Sequence, residues 1–204
     1  YIILLLGMFS LSNCNVDLSS SAMSDIAIIQ DVNNKIYFYG PVTQHSSYEL
    51  KKKIEAVDTQ SQLISQQYDI DPPPIHLHIQ SEGGSLFHTF YIIDLIKTIK
   101  TPVYTYIDGF AASAATLISV AGNKRFITHN SLMLIHQLSA SESGKFEELK
   151  DQYNNLKGLM DIIKKIYLEN TKIPIHQLEL LLKQDIWLDS VKCLNYGLVD
   201  KIIK

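Results

Sequence analysis

Ile75-His76-Leu77-His78-Ile79-Gln80-Ser81-Glu82-Gly83-Gly84-Ser85 is the stretch on which the fold assignment turns. Ile75, Leu77 and Ile79 alternate with polar or imidazole side chains, the period of a strand with one apolar face. The break Asp71-Pro72-Pro73-Pro74 before it suits neither helix nor central strand. Gly83-Gly84 then turns the chain into a helix over Ser85–Ile99, which Pro102 closes.

The same strand–turn–helix order recurs on both sides of this unit. Downstream, Val103–Ile107 reads as a strand, Asp108-Gly109-Phe110 as a loop, Ala112–Ala121 as a helix and Ser131–Ile135 as a short strand. Upstream, Ile26–Ile29 and Ile36–Tyr39 read as strands around the turn Asp31–Asn34, followed by a polar-faced helix from Tyr48 to Ser65. Short connections between alternating elements predict an α/β fold with helices on a largely parallel sheet.

Lys145–Asn170 differs. Phe146, Leu149, Tyr153, Leu156, Met160, Ile163 and Tyr167 recur in steps of three and four, a heptad seam, and Leu159, Ile162 and Ile166 add a second stripe. Two readings stay open: a wide stripe facing the core, or one stripe on the body and one on another subunit. Pro174 opens a further helix to Lys183, and Tyr196-Gly197-Leu198-Val199-Asp200 reads as a helix stop leading to a last strand.

The 204 residues, 46% of them hydrophobic, make one domain over 25–204 with a substantial core. A net charge of −3 and no long basic run exclude a nucleic-acid surface. Cys14 and Cys193 form no CxxC and no disulfide framework, which suits a reducing, intracellular compartment. Residues 1–24 join an apolar run, Tyr1–Leu11, to a polar one. A targeting segment, a propeptide and translation upstream of Met8 or Met23 all remain open for them.

Three turns carry candidate chemistry. Ser113, among Ala111, Ala112, Ala114 and Ala115, opens a helix just after a strand and is a candidate nucleophile. The N–H groups of Gly84 and Ala114, both near helix starts, are candidate oxyanion donors. His136, closing the run Met133-Leu134-Ile135, is a candidate base. Asp185, before Ile186-Trp187-Leu188, is a candidate to orient it, with Asp189 a rival. His76 and His78 share a strand face but have no evident third metal ligand, so no metal is expected. Nothing resembles a P-loop, a Rossmann fingerprint or an HExxH helix, and no cofactor is expected.

Together these residues resemble the ClpP family, the proteolytic subunit of an energy-dependent protease. Lys35-Ile36-Tyr37-Phe38-Tyr39-Gly40-Pro41-Val42 is similar to its opening strand, and Ile75–Ser85 to its strand leading to the oxyanion glycine. Gly109-Phe110-Ala111-Ala112-Ser113-Ala114-Ala115 resembles its nucleophile turn, and Asn130–Gln137 its histidine strand. Tyr196–Asp200 resembles its C-terminal signature. The resemblance implies a ClpP/crotonase-like ββα superhelix with a protruding handle helix at Lys145–Asn170. It implies a triad of Ser113, His136 and Asp185, with Gly84 and Ala114 holding the oxyanion. It further implies homo-oligomeric heptameric rings stacked in pairs, polypeptide substrates and an AAA+ unfoldase as partner. Glu82 replaces the usual proline, Ala114 the usual methionine, and Leu138–Gly144 the usual Pro- and Gly-rich segment. His76 and His78 stand where aromatics often line the unfoldase-docking pocket. Competing readings are a crotonase-type acyl-CoA enzyme, a non-catalytic ring subunit and a serine–lysine signal-peptide peptidase.

Overall fold

The computed structural model describes residues 27–204. Cys14, the segment 1–24 and Ile26 of the first expected strand lie outside the described residues. The chain runs β1 (Ile28–Val32), β2 (Lys35–Tyr39), α1 (Gln44–Tyr68), β3 (Ile75–Ser81), α2 (Leu86–Thr98), β4 (Val103–Ala112), α3 (Ala114–Val120) and β5 (Lys124–Thr128). It continues through β6 (Leu132–Leu134), α4 (Phe146–Asn170), α5 (Ile175–Leu182), β7 (Trp187–Asp189), α6 (Ser190–Asn195) and β8 (Lys201–Ile203).

One eight-stranded sheet has the order β1-β2-β3-β4-β5-β8. Only β1 is antiparallel along this path; it is joined to β2 by the turn Asn33-Asn34, with Asn33 at φ 57°. Asp31 and Val32, expected in that turn, pair with Ile36 and Lys35 instead, because a two-residue turn leaves them in register.

Strand β4 is longer than expected, and its length shapes the molecule. Tyr104–Ile107 pair with β5, whereas Phe110–Ala112 pair with β6. The register against β3 shifts between Ile79 and Ser81, and Gly109 lies opposite at φ +83°. That irregularity bends the strand away from one partner and onto another, so Asp108-Gly109-Phe110 is strand rather than loop. Pairing with Met133 and Leu134 likewise keeps Ala111 and Ala112 in β4, and the helix begins only at Ala114.

Alternation along the strands settles the core. Ile36 and Phe38, Ile75, Leu77 and Ile79, and Val103 and Ile107 are buried. They join Leu50, Ile54 and Val57 of α1 and Ile92, Ile93 and Ile96 of α2 in the same cluster. The intervening side chains form a ladder on the opposite face. Tyr37 stacks on His78 at 4.8 Å, His78 on Tyr106 at 4.6 Å and Tyr106 on Phe126 at 4.7 Å. His76 Nδ1 is 2.7 Å from the Tyr106 hydroxyl and His78 Nδ1 is 2.8 Å from Asp108. Both imidazoles are therefore engaged by the sheet, and no cluster of three or more metal-binding side chains occurs among the described residues.

The seam of α4 divides along its length, and Ile162 of the second stripe stays exposed beside buried Ile163. Ile163 and Tyr167 enter the core, whereas Phe146 is 78% exposed and Tyr153 68%. The first ten residues of the helix are all exposed. No helix of the described residues is long and apolar enough to cross a membrane.

Candidate active site

Strands β3, β4 and β6 run parallel, so their carboxyl ends meet at one edge of the sheet, where an α/β fold places its chemistry. There β3 delivers Gly83-Gly84, β4 delivers Ser113 and β6 delivers His136. Gly84, Ser113, Ala114 and His136 line one cavity of about 310 Å³, walled by Leu117 of α3 and by Leu156, Leu159, Ile163 and Tyr167 of α4.

Ser113 has φ 54° and ψ −127°. Side chains rarely adopt this region, and such strain persists only where the surroundings impose it. Here its N–H donates to Leu134 O at 2.9 Å, while its carbonyl accepts the Thr116 N–H at 3.0 Å and the Thr116 hydroxyl at 2.6 Å. The glycine pair explains how β3 fits against this turn. A Cβ on Gly83 would lie 2.7 Å from Ala112 O and 2.8 Å from Ala114 N; one on Gly84 would lie 2.4 Å from Val42 O. Val42 N donates to Gly83 O and Ser85 N to Val42 O, a pairing that bypasses the Gly84 N–H. Among the described residues neither the Gly84 nor the Ala114 N–H meets an acceptor.

His136 lies two residues beyond β6, and the Gln137 N–H holds the chain there by donating to Leu182 O at 2.8 Å. Leu138 N–H approaches Met160 Sδ at 3.4 Å, and Gln137–Gly144 form no strand. Asp185 follows α5, its Oδ1 3.7 Å from His136 Nδ1 and its side chain 82% exposed. This is an ion-pair distance, not a hydrogen bond. Asp185 is outside the cavity lining, and no hydrogen bond joins Ser113 to His136 among the described residues. Asp189 is engaged elsewhere. It caps α6, accepting the Lys192 N–H at 2.8 Å, and that bond holds its carboxyl below the usual range.

Residues 23–204 match the Clp protease family. The chain belongs to that family. Among similar Clp proteins, the ATP-dependent Clp protease proteolytic subunit 2 of Treponema denticola is 36% identical over 133 residues, which cover 64% of this chain and 66% of the relative. The subunit of the same name from Treponema pallidum is 31% identical over 133 residues, 64% of this chain and 67% of that one. The matched stretch thus spans about two thirds of these relatives. A mutant of ClpP1 from Listeria monocytogenes shares the fold with a TM-score of 0.73, over 92% of this chain and 96% of that one, at 24% identity. The Clp fold that the resemblance implied is therefore the fold observed, with the first ten residues of the long helix exposed.

Two residues behind the Ser113 turn had no signal of their own in the sequence. Thr116 sits one turn into α3, and its hydroxyl lies 2.5 Å from the Tyr167 hydroxyl of α4. Tyr167 read only as part of the apolar seam. Cys193 is buried, and burial pushes its thiol up to about 12, so it stays protonated and inert.

Proposed function

We propose that this chain is a serine endopeptidase subunit that cleaves unfolded polypeptides. The observation that carries the reading is the convergence in one cavity of a backbone-strained serine, an imidazole and two N–H groups that meet no acceptor among the described residues. Ser113 Oγ attacks the scissile carbonyl as His136 takes its proton. The carbonyl oxygen, now negative, is held by the Gly84 and Ala114 N–H groups. His136 returns the proton to the leaving amine, the C–N bond breaks, and an acyl-serine remains. Water then attacks that ester with His136 again as base, releasing the acid and restoring the serine. Asp185 holds the imidazole and stabilises its charged form. From 3.7 Å it closes to hydrogen-bond distance when substrate fills the site, since catalytic hydrogen bonds are often long in free enzymes.

Assembly into heptameric rings stacked in pairs supplies the chamber, with the exposed half of α4 between rings. An AAA+ partner supplies unfolding, because this chain carries no nucleotide-binding motif. The acyl-CoA reading explains the two N–H groups but gives Ser113 and His136 no shared role. The loose, exposed Asp185 favours one second reading, a ring subunit without catalysis of its own.

Ser113→Ala separates the two. Hydrolysis of a short fluorogenic peptide by the purified protein should fall by on the order of 10⁴-fold or more, with the assembly unchanged in size. A wild-type protein that is inactive, or a variant that cleaves equally well, refutes the peptidase reading.

A further inference from the structure

We infer that Tyr167 and Thr116 form a hydrogen-bond relay that aims the Ala114 N–H at the oxyanion, so that Tyr167 of the long helix is a positioning residue for catalysis. The inference rests on the reading of Ser113 as nucleophile.

The donor order follows from the chemistry of the groups. The Ser113 carbonyl can only accept, so the Thr116 hydroxyl spends its single proton on it at 2.6 Å. The Tyr167 hydroxyl, 2.5 Å away, must then donate to Thr116 Oγ1. Tyr167 is 2% exposed, and its burial raises the phenol's pKa, so it remains protonated and able to donate. The chain Tyr167→Thr116→Ser113 is polarised in one direction, each bond strengthening the next.

The end of this chain is one half of a peptide plane. The Ser113 carbonyl and the Ala114 N–H belong to the same trans unit and point in opposite directions. The bonds from Thr116 that hold the carbonyl therefore also fix the direction of the Ala114 N–H, and Ala114 lines the cavity. The Thr116 N–H donates to the same carbonyl at 3.0 Å, so the relay adds a second bond to the one the helix start already makes. Electron withdrawal at the carbonyl also makes the N–H a better donor. Tyr167 and Thr116 are 51 residues apart, so the relay ties the nucleophile turn to the buried end of α4. The exposed end of that same helix carries Phe146 and Tyr153.

An oxyanion donor acts in the transition state far more than on bound substrate, so loss of its aim should appear in kcat and not in KM. Tyr167→Phe and Thr116→Val each remove one link while keeping the shape. Each should lower kcat for a short peptide, and the rate of phosphonylation by a fluorophosphonate, about ten- to a hundredfold. KM should stay near that of wild type in both, while Thr116→Val, which leaves the buried Tyr167 hydroxyl without its acceptor, should also melt lower. Thr116→Ser keeps the hydroxyl and should stay within about twofold of wild type. The double variant should be no slower than the slower single one, because both changes break the same chain. Wild-type kcat in Tyr167→Phe, a loss confined to KM, or a Thr116→Ser as slow as Thr116→Val overturns the relay while leaving Ser113 as nucleophile. A wild-type protein that neither turns over nor takes the label removes the nucleophile reading and the relay with it.

Discussion

Three non-glycine residues among those described have positive φ, and two have local reasons. Asn33 sits in a two-residue turn and Asp69 ends α1 in the left-handed conformation, where short polar side chains are tolerated. Ser113 has no such reason, and its neighbours hold it there from β6 and α3. The sequence made Ser113, His136 and Gly84 legible because each closes a strand-like run in a turn of small or polar residues. Local pattern could not separate Asp185 from Asp189, since both flank the same apolar run, and only the family resemblance chose Asp185. The structure gives Asp189 a cap to hold and leaves Asp185 beside the imidazole. Asp185→Asn should accordingly lower turnover at least about a hundredfold, because an amide can hold the wrong imidazole tautomer. Asp189→Asn should leave turnover near wild type, as asparagine also caps helices. Peptide hydrolysis by the two purified variants checks this, and the reverse order of damage would move the third member to Asp189. Thr116 and Tyr167 were illegible for a different reason: a contact across 51 residues has no local pattern.

At the scale of elements, periodicity revealed β3 and α4, whose apolar period runs along the element, whereas α2 was bounded by Gly83-Gly84 and Pro102. Periodicity missed β5, whose Lys124-Arg125-Phe126-Ile127-Thr128 has only two apolar residues and a charged start. That strand is pinned by tertiary contacts: Arg125 donates to Asp200 from its backbone at 2.8 Å and from its guanidinium at 2.7 Å, which sets β8 beside β5. Burial by itself would raise the Asp200 carboxyl, but the hydrogen bonds and charge of Arg125 outweigh it and hold the group below the usual range. A depressed folded pKa adds stability above the unfolded value of about 3.9, and that stability is lost as pH falls through the lower, folded value. Asp200→Asn should therefore lower the urea midpoint at pH 7 and flatten its fall in acid, and an unchanged acid limb would show that the pair contributes nothing. The helix α4 raises a separate question. Its 25 residues make a rod about 37 Å long whose apolar seam is covered at one end only. Tyr153→Glu puts a charge on the uncovered end and should split stacked rings into single rings or smaller species, read as a lower mass in analytical ultracentrifugation. An unchanged mass would refute that role for the helix.

For the molecule as a whole, the parallel sheet gathers three strand ends at one edge, and the kink in β4 lets a single strand serve both the sheet and the β6–β7 flap that carries His136. The overall α/β order was legible from Gly83-Gly84 and the alternation around it. The switch of β4 between two partners was not, because pairing is a property of the sheet and not of the strand. The proposed peptidase activity rests on one claim, that Ser113 is an activated nucleophile. Reaction of the purified protein with a fluorophosphonate probes that claim, read by intact mass and by mapping of the modified peptide. One adduct per chain is expected, located on Ser113 and absent from Ser113→Ala. An unmodified wild-type chain, or an adduct that persists in Ser113→Ala, would overturn the claim.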